Sequence, residues 1–129
     1  MSKEIVHTEN APAPFQGAPY SQAIKANGLV FVSGQLALLP GHKELVPGGI
    51  AEQTEQVLAN LRSILEAAGS GLDRVVKTTV FLQHLDDFAG MNAVYARHLG
   101  AAPPARSTIE VAKLPSGALV EIEAVALAD

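Results

Sequence analysis

The stretch "LVEIEAVAL", residues 119–127, alternates without a break. Along an extended chain successive side chains point to opposite faces. Leu119, Glu121, Glu123, Val125 and Leu127 therefore share one face, and Val120, Ile122, Ala124 and Ala126 share the other. The second set is wholly apolar and suits a covered face. The first mixes two carboxylates with three large aliphatics, which fits neither an ordinary solvent face nor an ordinary core. What covers each face decides the fold.

Two helical patterns can cover the apolar one. From Ile50 to Ala68 the apolar residues Ile50, Val57, Leu58, Leu61, Ile64, Leu65 and Ala68 form one stripe, ended by Gly69. "LDDFAGMNAVYARHLG", residues 85–100, carries a second stripe of Phe88, Met91, Tyr95 and Leu99, with Asp86 or Asp87 as N-cap and Gly100 after it. The other extended stretches are "KEIVHT" at 3–8, two strands around Asn27-Gly28, "RVVKTTVFLQ" at 74–83, and Ala105 to Ala112. An Asn-Gly pair between two such runs is the strongest short-range hairpin signal.

The order β-β-β-α-β-α-β-β predicts an α+β domain, with two helices packed on one face of a single mixed sheet. Two helices cannot also cover the mixed face. Exposed apolar patches of that kind mark interfaces, so a closed homo-oligomer is expected to provide the cover.

Composition narrows the function. The chain has 129 residues, 48% of them hydrophobic and 17% charged, and reads as one domain over residues 1–129 with no repeat or dividing linker. No apolar run approaches the ~18 residues of a membrane span. Nine basic against thirteen acidic residues leave a net charge of −4, a poor match to phosphate neutralisation, so no nucleic-acid partner is expected. There is no cysteine, which removes disulfides and thiolate chemistry. "MSKEIVHTEN" has no apolar stretch or cleavage site, and a cytoplasmic location is the default expectation. His7, His42, His84 and His98 are scattered, with no metal-ligand spacing, and the usual nucleotide and hydrolase-elbow motifs are missing.

The candidate site begins with "PPARSTIEVAKLP", residues 103–115. Turning Ser107, Ile109 and Val111 towards the helices puts Arg106, Thr108 and Glu110 on the face of Glu121 and Glu123. Arg106 then has two readings. It forms a cross-strand ion pair that fixes subunit register, or it offers a bidentate fork to a ligand carboxylate, with Glu121 as a base or water-orienting group. Ser33-Gly34-Gln35 is a polar step inside an apolar strand, the mark of a bulge or of close approach by a ligand. Tyr20 follows the rigid Pro19, and Asn92 lies one turn from both Phe88 and Tyr95.

"APYSQA", "VFVSGQ", "GGIAEQTEQVLANLRSILEAAGSGLDRVVKTTVFL", "DDFAGMNAVY", "PPARSTIEVAKLP" and "VEIEAVAL" resemble, in order, nearly the whole length of a RidA (YjgF) family protein. The resemblance implies a chorismate mutase-like homotrimer, helices outside and sheets inside, with clefts between subunits. It implies hydrolysis, without a cofactor, of 2-aminoacrylate/2-iminopropanoate and 2-iminobutanoate to 2-keto acids and ammonia. Pyridoxal-phosphate-dependent dehydratases would supply these imino acids. Arg106 matches the arginine that binds the substrate carboxylate, and Glu121 the glutamate near the attacking water. Tyr20, Ser33, Gly34 and Asn92 match pocket positions. Thr108 stands where many members have cysteine, at a position that contributes its backbone carbonyl. "GAPYSQA" has alanine where "GPYSQA" is usual, and the segment before Pro103 is short; both departures touch the pocket rim. Relatives named translation inhibitors or endoribonucleases keep an RNA-directed role as the alternative, beside a non-catalytic ligand-binding trimer.

Overall fold

Asn27 and Gly28 turn the chain back on itself, with left-handed φ of 55° and 80°. Asn and Gly tolerate that region where a residue with a larger or branched side chain would be strained. A computed structural model of the chain describes residues 2–128. The hairpin joins β2 (Ala23–Ala26) to β3 (Leu29–Gln35), and β1 (Glu4–Val6) pairs on its outer side. Helix α1 (Ile50–Ala67) follows a long loop, then β4 (Val75–Leu82), α2 (Phe88–Leu99), β5 (Ala105–Glu110) and β6 (Val120–Leu127). The six strands form one sheet in the order β1-β2-β3-β6-β4-β5. All neighbours run antiparallel except β4 and β5, which are parallel and connected through α2.

The expected α+β architecture is the observed one, and β6 lies at its centre between β3 and β4. Val120, Ile122, Ala124 and Ala126 are buried, packed with Val57, Leu58, Leu61, Ile64 and Leu65 of α1 in one core. Removing each larger aliphatic from water is worth about 1.5–3 kcal/mol, so this layer is the main source of stability. Helix α1 starts where the Gly49 N–H donates to Glu52 Oε1 at 2.8 Å, and that bond holds the Glu52 carboxyl below its usual range. The helix ends before Gly69, whose φ is 79°. Two buried amides tie the loops to this frame. Asn60 donates to the carbonyls of Leu36 and Leu38 at 3.1 and 2.9 Å, fixing the exit from β3. Gln22 accepts from Thr8 N and donates to the carbonyls of Thr8 and Pro12, fixing the N-terminal segment.

Two expectations need correction. Arg106, Thr108 and Glu110 do not share a face with Glu121. In the parallel register Thr78 lies beside Arg106, Val80 beside Thr108 and Leu82 beside Glu110, and Thr78, Val80 and Leu82 are buried under the helices. These β5 residues therefore face the helix side, while Ser107 and Ile109 face the open side with Glu121. Apolarity misassigned β5 because it is an edge strand at the rim of the helical layer. The second correction concerns α2, which buries Met91, Val94, Tyr95 and Leu99, whereas Phe88 is 42% exposed.

The opposite face of the sheet is uncovered in the protomer. Phe31, Ile109 and Leu127 are 44%, 46% and 43% exposed there, a row of large apolar groups that solvent does not favour. Among the described residues no helix is long and apolar enough to cross a membrane.

Candidate functional site

The polar step in β3 is a bulge. Val32 lies opposite Ala124 and Gln35 opposite Ile122, so β3 spends one extra residue against β6 around Ser33 and Gly34. Ser33 is tied across to β2's entry, its hydroxyl donating to the Ser21 carbonyl at 2.6 Å and its N–H to the Gln22 carbonyl at 2.9 Å. Gly34 does not have a left-handed φ; its lack of a side chain serves space. A Cβ there would overlap Glu121 Oε2 and come within 2.9 Å of Cδ. The Glu121 carboxylate thus lies directly on the bare backbone of Gly34.

These residues line a cleft of about 440 Å³. Tyr20, Ser33, Gly34, Glu121 and Glu123 form its polar end, and Phe15, Ala18, Leu36, Leu38 and Pro115 its apolar wall. Tyr20 is held by its own hydroxyl, which accepts from Phe15 N–H at 2.5 Å and closes the turn at Gln16-Gly17. The Glu121 carboxylate accepts no hydrogen bond among the described residues. Burial pushes its carboxyl above the usual carboxylate range, and the charge of Glu123 two residues on adds to the shift. A partly desolvated, unpartnered carboxylate of raised proton affinity is better suited than an ordinary one to taking a proton from water.

Arg106 lies elsewhere. Its guanidinium carbon stands 4.8 Å from the centre of the Tyr95 ring and 5.5 Å from that of Phe88. Phe88, Asn92 and Tyr95 are spaced i, i+4 and i+7, so one face of α2 presents two rings and an amide towards the arginine. Tyr95 is anchored in turn by a 2.7 Å hydrogen bond between its hydroxyl and Thr78. Among the described residues Arg106 makes no ion pair. Glu110, four residues on along the same face of the strand, instead accepts the Leu85 N–H at 2.8 Å. Within one chain, therefore, the cross-strand ion pair does not form. Thr108 is on the same side, its Oγ1 buried without a hydrogen-bond partner.

The seven expected residues thus fall into two sets. Tyr20, Ser33, Gly34 and Glu121 come together on the open side, and Asn92, Arg106 and Thr108 on the helix side of the edge strand. The ring cradle was not anticipated, although the spacing of Phe88 and Tyr95 around Asn92 would have revealed it. Nor was the apolar wall from Phe15 to Leu38, which long-range packing creates.

The chain is similar to known proteins over nearly its whole length. The sequence profile of the Endoribonuclease L-PSP family matches residues 8–128. A RutC family protein of Pyrococcus horikoshii is 52% identical over 124 residues, covering 96% of this chain and 97% of its own. The 2-iminobutanoate/2-iminopropanoate deaminase of Mus musculus is 43% identical over 125 residues, covering 97% and 91%. Among solved structures, Escherichia coli TdcF with bound serine superposes with a TM-score of 0.90 at 35% identity, covering 98% of this chain and 99% of that one. The match in sequence, backbone superposition and length leaves one assignment: the chain belongs to the Endoribonuclease L-PSP family, the family of RidA and YjgF.

Proposed function

We propose that the protein hydrolyses reactive imino acids to 2-keto acids and ammonia, in a site built from the two sets of residues on different subunits of a homotrimer. The observation that carries this reading is Arg106, a guanidinium set against two aromatic rings with no carboxylate among the described residues to neutralise it. A planar fork so held is matched to an external carboxylate. The 2-imino acids carry one beside the reacting carbon. Arg106 and Glu121 lie on opposite sides of the sheet in one protomer, so a single ligand can meet both only if a second copy supplies one of them. The bound serine in TdcF, itself a small amino acid, agrees in size and charge with such a ligand.

The reaction then follows from the groups present. Arg106 binds the substrate carboxylate and Asn92 stands beside it as a hydrogen-bond donor and acceptor. Glu121, with the Thr108 carbonyl, orients a water and takes its proton as the oxygen attacks the imine carbon. The C=N π electrons pass to nitrogen, which takes that proton back from Glu121 to give a tetrahedral amino alcohol. Glu121 then takes the hydroxyl proton and passes it to nitrogen; the oxygen's electrons form the carbonyl as the C–N bond breaks, and ammonia and the keto acid leave. Orientation of water and imine supplies much of the effect. The apolar wall accepts the substrate side chain. Pyridoxal-phosphate-dependent dehydratases acting on serine or threonine generate such imines, and the protein's role would be to clear them.

The coupled reaction tests this. A serine or threonine dehydratase is run with and without the protein, and keto-acid release is followed. Acceleration proportional to protein concentration is expected; an unchanged rate at every concentration refutes the reaction. The family's endoribonuclease description supports a second reading, cleavage of RNA. The net charge of −4 weighs against it. RNA cleavage that disappears with Arg106→Ala would reverse that judgement.

A further inference from the structure

Three charged side chains occupy strand positions on the open face: Lys77 on β4, and Glu121 and Glu123 on β6. Lys77 lies opposite Val125, and Glu123 opposite Thr79, so the ammonium and the Glu123 carboxylate are diagonal neighbours. They do not pair. Lys77 Nζ donates to Thr79 Oγ1 at 3.3 Å, and among the described residues neither Lys77 nor Glu123 has an ion-pair partner. Both line a depression of about 310 Å³, together with Phe31, Thr79 and Val125.

The depression lies among the exposed apolar groups that mark this face for burial. Covering it with an apolar partner would strand one positive and one negative charge, and an unpaired buried charge is strongly destabilising. A partner that brings one charge of each sign avoids this, and a second copy of the chain does so. In a closed ring every protomer presents the same patch, so Lys77 of one copy can meet Glu123 of the next at each interface.

We infer that Lys77 and Glu123 form an ion pair between subunits, repeated around the ring. The inference rests on the trimer proposed above. It also links assembly to chemistry. Glu123 helps hold the Glu121 carboxyl up, so a neighbouring subunit's ammonium on Glu123 relieves part of that repulsion and sets the proton affinity of the proposed base.

The test uses the full chain and its charge reversals in sedimentation. Wild type is expected to be a trimer, Lys77→Glu and Glu123→Lys each to assemble at least roughly tenfold more weakly, since like charges then meet in a buried site, and the double reversal to recover. A monomeric wild type would remove the trimer itself. A wild-type trimer indifferent to Lys77→Glu would remove only the ion pair. To separate pairing between subunits from pairing within one, trimers reassembled from ordinary and heavy-nitrogen chains are coupled with a carbodiimide. Cross-linked Lys77–Glu123 peptides should then include pairs that carry one label from each kind of chain, beside the like-labelled pairs that random mixing gives. Peptides labelled always alike would place the pair inside the protomer and overturn the inference.

Discussion

Gly34→Ala isolates the position of the proposed base. The added methyl would overlap Glu121 Oε2, with Cδ at 2.9 Å and Cγ at 3.1 Å, all belonging to one flexible side chain. Gly34 has no left-handed φ, so the alanine itself meets no backbone strain. The cheapest response is for the carboxylate to swing away by about an ångström, and the fold should tolerate it. Replacing glycine at a permissive position stabilises by about 0.4–1 kcal/mol through the unfolded chain, which offsets part of the cost of moving Glu121. The net change in stability should be within ~1 kcal/mol. Catalysis should respond far more, because a misplacement of about 1 Å in a catalytic group can cost on the order of a hundredfold. That equals roughly 2.7 kcal/mol of barrier. The assay is keto-acid release from dehydratase-generated imine, with kcat and KM separated, beside thermal unfolding of the same sample. The loss should fall on kcat and be matched by Glu121→Gln, which keeps the shape and removes the base. A folded Gly34→Ala protein with unchanged kcat would mean that Glu121's place against Gly34 has nothing to do with the reaction.

Arg106→Lys should fold and assemble normally yet lose most of its turnover, because it keeps the charge but not the planar fork. Arg106→Ala should weaken substrate binding by roughly 1.5–3 kcal/mol, read as a rise in KM, and normal kinetics in the lysine variant would exclude bidentate carboxylate recognition. Glu121 makes pH a probe. Its carboxyl is raised in the folded state by burial first and Glu123 second, so the native protein holds that proton to higher pH than the unfolded chain does. Its contribution to stability is therefore greatest below the ordinary carboxylate value of 4.5 and is lost as pH rises through the raised folded value. Glu121→Gln should flatten that part of a stability–pH curve. Glu123→Gln should move the acid limb of the kcat/KM profile to lower pH, and an unmoved limb would mean that Glu121 is not the group titrating. Asn60→Ala should unfold at markedly lower denaturant, because two buried carbonyls lose their donor at about 1–3 kcal/mol each. Unchanged stability would mean that water replaces the amide.

Much of the fold was legible because its determinants are local. The alternation of β6 assigns its faces without reference to any other segment, and the Asn27-Gly28 turn and the α1 stripe are equally self-contained. What failed was β5. Its most apolar residues, Ile109 and Ala105, are on the open side, and its charged Arg106 and Glu110 face the helical layer. A strand at the centre of a sheet is read correctly by asking which side is greasy, since both of its sides are decided by burial. An edge strand extends to the rim of that layer, where the helix side is only partly dry and the open side awaits another subunit. Its faces are set by register with β4, and no feature of β5's own sequence encodes that register.

The same distinction governs the site. Arg106 stood out in the sequence as a charge on a strand, and Ser33-Gly34 as a break in an apolar run, because each is anomalous where it stands. That Glu121 fills the space beside Gly34 depends on how β3 and β6 pair, with one extra residue at the bulge. The ring cradle of Arg106 was within reach, since Phe88, Asn92 and Tyr95 recur at helical spacing; taking Phe88 as core hid it. The separation of Arg106 from Glu121 has a wider consequence. A protomer that folds perfectly still holds the proposed base, Glu121, on one side of the sheet and the proposed anchor, Arg106, on the other. The apolar open face and the divided site then place the same demand on the chain. Association would bury Phe31, Ile109 and Leu127 and would also bring a guanidinium to a carboxylate, so the surface that makes the monomer unfavourable is the one that would complete its chemistry.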